Sequence, residues 1–329
     1  MHHLPGEASK NRKMNNLVLK LRIAFRILQR QAMRFTVGFW PLRQFMAYWM
    51  VWRKRPEPLP VSDVASFEYF DTDSKKQELS QRGFVGGITA TDDQVRSILD
   101  FCQCSNAEIG LKDQAKVKRR TVYVPIDAVK PPIDDVSYYY YYDVHNKCKA
   151  VRDIVFNKDL LEVVRDYLGS EPTLLFSNII WTFPTHDKGL RVGEVGQFGF
   201  HFDIPDLKSV AVFVYLNDVD EDRGPHVIIE DTHKRKPLKS LFVNKLGGHE
   251  AEERYADQIH VLTGKKGTTV IEDIYSYHKA TNPRKPRLAL KFFYGIQRST
   301  MIHNRNLRDF TKKPYQNKQE ESVKELVAA

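Results

Sequence analysis

The chain is poor in cysteine, with three in 329 residues: Cys102, Cys104 and Cys148. Three thiols cannot build a disulfide framework, which points to a reducing compartment. Cys102 and Cys104 form a C-x-C pair with no second pair to complete a zinc site. A long uncharged apolar run is also missing. The most hydrophobic stretch, FTVGFWPLRQFMAYWMVW at 35–52, is broken by Pro41, Arg43 and Gln44, so a clean bilayer span is not expected. No small-residue cleavage site follows a short apolar core, which argues against a secretory signal. Internal repeats are absent. Acids are nearly missing from the first 55 residues, where Glu7 faces twelve Lys and Arg, a net +11 in a chain whose total is +10. The remaining body therefore carries −1, and a near-neutral body argues against nucleic acid as a partner.

What is present fits an ordinary globular protein, 42% hydrophobic and 28% charged, long enough for one large domain or two small ones. The N-terminal basic segment stands apart. Arg22, Arg26, Arg30 and Arg34 recur every four residues, with Leu17, Leu21, Ala24, Phe25, Leu28 and Met33 between them, which predicts a helix from Asn16 to about Phe35. Three of the four tryptophans follow, at Trp40, Trp49 and Trp52. Three readings of residues 16–55 stay open: an interfacial segment on an anionic membrane, a helix packed on the domain, and an Arg-rich organelle transit peptide. The expected location is cytoplasmic and peripheral at the membrane. Pro56-Glu57-Pro58-Leu59-Pro60 reads as a stiff linker, which gives a basic segment over 1–60, a domain over 61–300 and a charged tail over 301–329.

Within the domain, helices are expected at 75–82, closed by Gly83, and at 92–103, with Thr91 and Gln94 as a capping box. A third is expected from Lys158 to Leu168 between Asn157 and Gly169. Residues 105–150 are poorly periodic, and Tyr138–Tyr142 reads as a strand or a loop wall, more as packing than as substrate recognition. Strands then dominate: Thr173–Phe183, Val195–Phe202, Ser209–Leu216, Val227–Glu230, Gln258–Leu262, Thr268–Ile271 and Arg287–Tyr294, with a turn at Gly264-Lys265-Lys266-Gly267. Helices first and short strands afterwards predict an α+β chain with a β-sandwich or jelly roll in its C-terminal half.

The chemistry gathers around Gly199-Phe200-His201-Phe202-Asp203. In a strand, His201 and Asp203 share one face. A second histidine, His278, beside them would complete two imidazoles and one carboxylate, a set that can hold one face of Fe(II) and leave other positions open. His226 follows Gly224-Pro225 and reads as structural. His186, His249 and His260 read as surface or satisfied core residues.

The segments GQFGFHFDIPDLKSVAVFVYLNDVDEDRGPHVIIEDTHK and DIYSYHKATNPRKPRLALKFFYG resemble the phytanoyl-CoA dioxygenase family of Fe(II)- and 2-oxoglutarate-dependent oxygenases. The likeness lies in an H-x-D, an apolar strand, an acidic Gly-Pro turn, a later histidine and an arginine about ten residues beyond it. It implies a double-stranded β-helix (jelly-roll, cupin-like) core over about 173–298 with flanking helices. It also implies Fe(II), 2-oxoglutarate and O2, with hydroxylation of an unactivated C–H bond and release of succinate and CO2. Carried over, His201, Asp203 and His278 would be the metal ligands, and Arg287 would hold the far carboxylate of 2-oxoglutarate. Thr281, Phe213 and Tyr215 would contribute to the co-substrate pocket. Asp203 itself points to hydroxylation, since relatives that halogenate lack this carboxylate. Two positions depart from the pattern: Glu230-Asp231-Thr232 stands where P-G-S is expected before His233, and Ala280 where a hydroxyl is common. The substrate class is a small molecule or a lipid-linked one. The alternative is a non-catalytic jelly-roll binding protein.

Overall fold

In the computed structural model of this chain, the residues described are 32, 35, 38–53, 55–113, 116–134, 136–184 and 199–296. Apart from Ala32 and Phe35, both helical, the expected 16–35 helix lies outside them, as do His186, the first half of the 195–202 strand and the charged tail. The helices are α1 (Trp40–Arg53), α2 (Thr72–Arg82), α3 (Asp92–Gln103), α4 (Lys149–Val155), α5 (Lys158–Leu168) and α6 (Gly248–Tyr255).

Among the described residues, thirteen strands, all paired antiparallel, form two sheets. The larger holds β1 (Phe84–Thr89), β2 (Asn106–Asp113), β3 (Lys116–Tyr123), β4 (Tyr138–Tyr142), β5 (Thr173–Thr182), β7 (Ser209–Tyr215), β11 (Thr268–Asp273) and β13 (Arg287–Gly295). Its order is β1-β11-β7-β13-β5-β4-β2-β3. The smaller, β10-β8-β12-β6-β9, holds β6 (Phe200–His201), β8 (His226–Ile229), β9 (Lys245–Leu246), β10 (Ile259–Leu262) and β12 (His278–Ala280). From β5 to β8 the chain alternates between the sheets, and it does so again from β10 to β13, which is the double-stranded β-helix arrangement.

Burial follows from position in these layers. All seven residues of β7, SVAVFVY, are buried, because one face lines the barrel and the other lies under flanking structure; a strand buried on both faces shows no polar alternation. Helix α5 turns Leu160, Leu161, Val163, Val164 and Leu168 into the core. Asn157 Oδ1 accepts from the Asp159 and Leu160 N–H groups at 3.1 Å each, and Gly169 closes the helix at φ +67°. Thr91 stands at the N-cap of α3, but its side chain makes no capping hydrogen bond, so the expected capping box is not formed. Residues 106–113 and 116–123, which lack an apolar rhythm, form the β2–β3 pair at one end of the larger sheet. There it pairs on one side only, a position that tolerates charge.

Helix α1 packs on the domain, one of the three arrangements left open above. Arg43 and Ala47 are buried in the contact, and Met46, Met50 and Val51 pack partly beneath it. An Arg43 Nη2 N–H donates to the His233 carbonyl at 3.0 Å and lies 3.5 Å from Asp273 Oδ2, while its guanidinium sits 4.3 Å from the centre of the Tyr275 ring. Asp273 also accepts from Tyr167 Oη and from the Tyr275 N–H.

His233 belongs to this buried structure. Its Nε2 lies 3.2 Å from the Ser80 carbonyl. Gly83 ends α2 at φ +81°, and a Cβ there would overlap the His233 ring, so both the conformation and the contact require glycine. Burial pushes His233 down to about 4. An unfolded histidine titrates near 6.5, so between those values the unfolded chain binds more protons and stability falls as pH drops. His233 is expected to contribute up to about 3 kcal/mol of this acid sensitivity. Urea midpoints at pH 7 and pH 5 should differ less for His233→Gln than for wild type.

Candidate metal centre

The smaller sheet sets the two histidines side by side. His201 on β6 and His278 on β12 are direct register partners, and their ring centres lie 4.6 Å apart. Strand β6 ends at His201, so Asp203 is placed by its backbone and not by strand alternation. The Asp203 N–H donates to the Ile274 carbonyl at 2.9 Å, and the preceding Phe202 N–H donates to the Asn244 carbonyl at 3.1 Å. Asn244 Nδ2 returns a hydrogen bond to the Phe202 carbonyl at 3.1 Å.

One potential ligand atom from each of His201, Asp203 and His278 lies within 4.8 Å of the others, the one such group among the described residues. His201 Nε2 is 4.0 Å from Asp203 Oδ1, and His278 Nε2 is 3.8 Å from Asp203 Oδ2. The opposite ring nitrogens settle the tautomers. His201 Nδ1 lies 2.8 Å from the Gly199 carbonyl and His278 Nδ1 lies 3.0 Å from the Ser276 carbonyl. A carbonyl only accepts, so each Nδ1 carries a proton, which leaves each Nε2 as the ring nitrogen turned toward the carboxylate and available to a metal. This is the outer support that orients metal-binding imidazoles. Burial drives His278 down to about 4, which keeps its ring neutral. Loss of hydration opposes ionisation of Asp203, but His278, His201 and Lys291 together hold it below the usual carboxylate range. Its side chain is 43% exposed, so the cluster is open on one side.

The barrel wall behind this cluster carries three further groups: His226, read from the sequence as structural, and Glu272 and Lys291, which the sequence left unassigned. His226 on β8 meets Glu272 of β11, Nε2 to Oε2, at 2.7 Å. Burial pushes Glu272 up to about 7 and His226 well below its ordinary value, so near pH 7 the imidazole is neutral and the carboxyl is only partly ionised. The His226 ring lies 4.8 Å from Phe213 and 5.4 Å from His278, which makes it a backing for a ligand ring. The third is Lys291, on the same face of β13 as Arg287, since the two are four residues apart in a strand. Lys291 Nζ lies 4.8 Å from the Phe213 ring centre and 4.7 Å from that of Phe293. Burial lowers the Lys291 pKa, and the charges of Asp203 and Glu272 oppose that shift. A lone lysine at strand spacing from Arg287 inside the apolar run RLALKFFYG is the signal that could have marked it.

The remaining candidates separate. Arg287 is half-buried in the barrel wall, where an Nη1 N–H donates to the Gly224 carbonyl; loss of hydration lowers its pKa. Gly224 sits at φ +67°, and an added Cβ there would fall 2.6 Å from the Thr281 carbonyl. Phe213 lines the interior under His226. Tyr215 is buried, and its hydroxyl donates to the Leu262 carbonyl at 2.6 Å. Thr281 donates to the Pro225 carbonyl at 2.8 Å, so its hydroxyl proton is engaged by the turn. His260 pairs with Glu230 at 2.6 Å, and exposed His249 lies 3.3 Å from Glu253. The Tyr138–Tyr142 run is β4: Tyr139 and Tyr141 enter the core, while Tyr138, Tyr140 and Tyr142 are half-buried on the other face.

No protein-family model matches the chain, and no curated protein matches it. Among solved structures it is similar to the epimerase SnoN in complex with Fe3+, alpha ketoglutarate and nogalamycin RO. Identity is 13%, covering 68% of this chain and 83% of that one, at a TM-score of 0.45. EctD from S. alaskensis with bound Fe gives 15% identity over 73% and 82% of the two chains, at 0.44. HygX from Streptomyces hygroscopicus, with nickel, 2-oxoglutarate and hygromycin B bound, gives 16% over 68% and 86%, at 0.43. At such scores the chemistry of this site rests on its own geometry.

Proposed function

We propose that this chain is an Fe(II)- and 2-oxoglutarate-dependent dioxygenase of the phytanoyl-CoA dioxygenase type that hydroxylates an unactivated C–H bond. The observation that carries the reading is the pair of fixed tautomers, which set two imidazole lone pairs and one carboxylate around a common point. His201, Asp203 and His278 fit a hard-to-borderline cation that takes nitrogen and oxygen donors and keeps open positions. Iron with 2-oxoglutarate and O2 supplies an oxidant strong enough for such a bond, releasing succinate and CO2. The chain's own residues orient, neutralise and keep dry. The His226–Glu272 pair and Phe213 back His278 on its buried side.

Arg287 offers several N–H donors, of which one is engaged by Gly224, and the rest suit the far carboxylate of 2-oxoglutarate. Lys291 is the second cation in the same wall. Loss of a charged hydrogen bond is worth about 1.5–3 kcal/mol, so Arg287→Met is expected to weaken 2-oxoglutarate roughly tenfold to 100-fold. Lys291→Met is expected to weaken it less. Anaerobic titration of the iron-loaded protein, read by ligand-to-metal absorbance, measures both, and the reverse order would transfer the anchor to Lys291.

The test of the whole reading is formation of succinate from 2-oxoglutarate with added iron, with or without a primary substrate. Iron-saturated protein that forms no succinate across a broad panel of small-molecule and lipid substrates would leave the fold as a binding scaffold.

A further inference from the structure

Helix α1 has two opposed stripes. Arg43, Met46, Ala47 and Met50 face the domain, whereas Phe45, Tyr48, Trp49 and Trp52 follow the same i, i+3, i+4, i+7 spacing on the other side. Those four are 63%, 71%, 40% and 70% exposed. Phe35 and Phe39 before the helix are exposed too. A second exposed apolar group, Leu238, Phe242 and Val243, lies on the segment that abuts the residue leading into α1: a Cβ on Gly38 would fall 2.9 Å from Leu241 Cδ2. These two segments hold nine of the fifteen exposed large apolar side chains among the described residues. An exposed apolar concentration of this kind marks a surface that meets something other than water.

We propose that this face docks on an anionic lipid bilayer. Three features select that occupant. Tryptophan, tyrosine and phenylalanine with adjoining cations are the residues of a membrane–water interface, and exposed Arg53 and Arg55 follow the stripe directly. Residues 1–55 carry +11 on a body of −1, so positive charge is concentrated on the part of the chain that bears the aromatics. No described helix is long and apolar enough to cross a membrane, so the surface lies on the bilayer. The buried Arg43 contact to Asp273 and His233 makes α1 part of the domain rather than a tether. The docking surface also adjoins the metal cluster: after Phe242 and Val243, Asn244 holds Phe202, and Lys245 is the register partner of His201. A substrate held in the bilayer would therefore approach the cluster along the β9 edge, a consequence that rests on the reading given under Proposed function.

The full chain is tested by co-sedimentation with phosphatidylglycerol/phosphatidylcholine vesicles and with pure phosphatidylcholine vesicles, at low and high salt. Wild type is expected to bind the anionic vesicles, more weakly as salt rises. Phe45→Ser/Tyr48→Ser/Trp52→Ser and, separately, Leu238→Ser/Phe242→Ser should each bind about tenfold more weakly or worse, with melting midpoints unchanged because the altered side chains are exposed. Tyr69→Ser, exposed on a segment that belongs to neither apolar group, should bind as wild type. Wild type that ignores anionic vesicles, or an aromatic triple variant that binds them undiminished, overturns the proposal. So does a wild-type dimer by light scattering that becomes a monomer in the triple variant, since the face then belongs to a second copy. Succinate formation is assayed in parallel without lipid, so failure of the chemistry and failure of the docking are read separately.

Discussion

Asp203→Ala is expected to cost the protein its iron while leaving the apo fold intact. Asp203 is 43% exposed at its side chain and is not packed in the core, so its removal leaves no cavity. What it removes is the one carboxylate between His201 Nε2 and His278 Nε2, at 4.0 and 3.8 Å. Loss of a supporting residue around a metal typically costs 10- to 100-fold in affinity, and loss of a ligand itself should exceed about 100-fold. A ligand at 100 times its dissociation constant stabilises the native state by about 2.7 kcal/mol, so anaerobic Fe(II) should raise the wild-type melting midpoint by roughly 5–10 °C. That rise should vanish in Asp203→Ala and in His278→Ala, together with succinate formation. Full iron occupancy in Asp203→Ala would show that the three residues are not the ligand set. Because the readout is binding, this outcome is independent of any choice of substrate.

The second large effect is on stability and lies outside the site. Arg43→Ala removes a cation that is 1% exposed and has Asp273 and the His233 carbonyl as partners. Breaking a buried ion pair from one side costs about 3–5 kcal/mol, because the remaining charge stays desolvated. Tyr167 and the Tyr275 N–H still reach Asp273, and half-buried Lys208 and Lys236 stand nearby with pKa values lowered to about 8 and about 7 by loss of hydration and by the Arg43 charge. Their relief offsets part of the loss, which sets the expected cost near the lower end, about 3 kcal/mol. Urea unfolding of the full chain measures it; an unchanged midpoint would mean that α1 is not seated through Arg43. The same argument bears on deletion of residues 1–55. Such a deletion would remove a structural cation along with the aromatic face, so loss of vesicle binding in it would not isolate the surface, whereas substitutions at Phe45, Tyr48 and Trp52 do.

Much of the architecture was legible because the relevant signals are local. Asn157 and Gly169 bracket α5 as their backbone chemistry requires, and Gly83 ends α2 in the left-handed conformation that it alone adopts freely. Strands β5, β7, β11 and β13 lie within the expected ranges or extend them by a residue or two, since β5, β7 and β13 are long and rich in apolar residues and β11 follows directly on the Gly264–Gly267 turn. The short strands β6, β9 and β12 were legible in part or not at all. Two- and three-residue strands have no periodicity of their own and exist because a neighbour supplies the hydrogen bonds. The β2–β3 pair was missed for a related reason: at the end of a sheet it does not need the apolar alternation by which a strand is recognised.

By itself the sequence singled out His201, Asp203, His278 and Arg287 as candidates, and it showed that the net positive charge resides at one end of the chain. Donor type and charge are properties of side chains, and a motif carries them without a fold. Tertiary structure alone decided the rest. It paired His201 with His278 across two strands 77 positions apart in sequence, and it turned both Nδ1 atoms onto carbonyls. It brought the His226–Glu272 pair and Lys291 into the wall. It also split the aromatic segment into a face bound to the domain and a face left to solvent. Each of these depends on atoms brought together from distant parts of the chain, where burial sets the protonation state and geometry sets what a donor can reach; no local pattern encodes either.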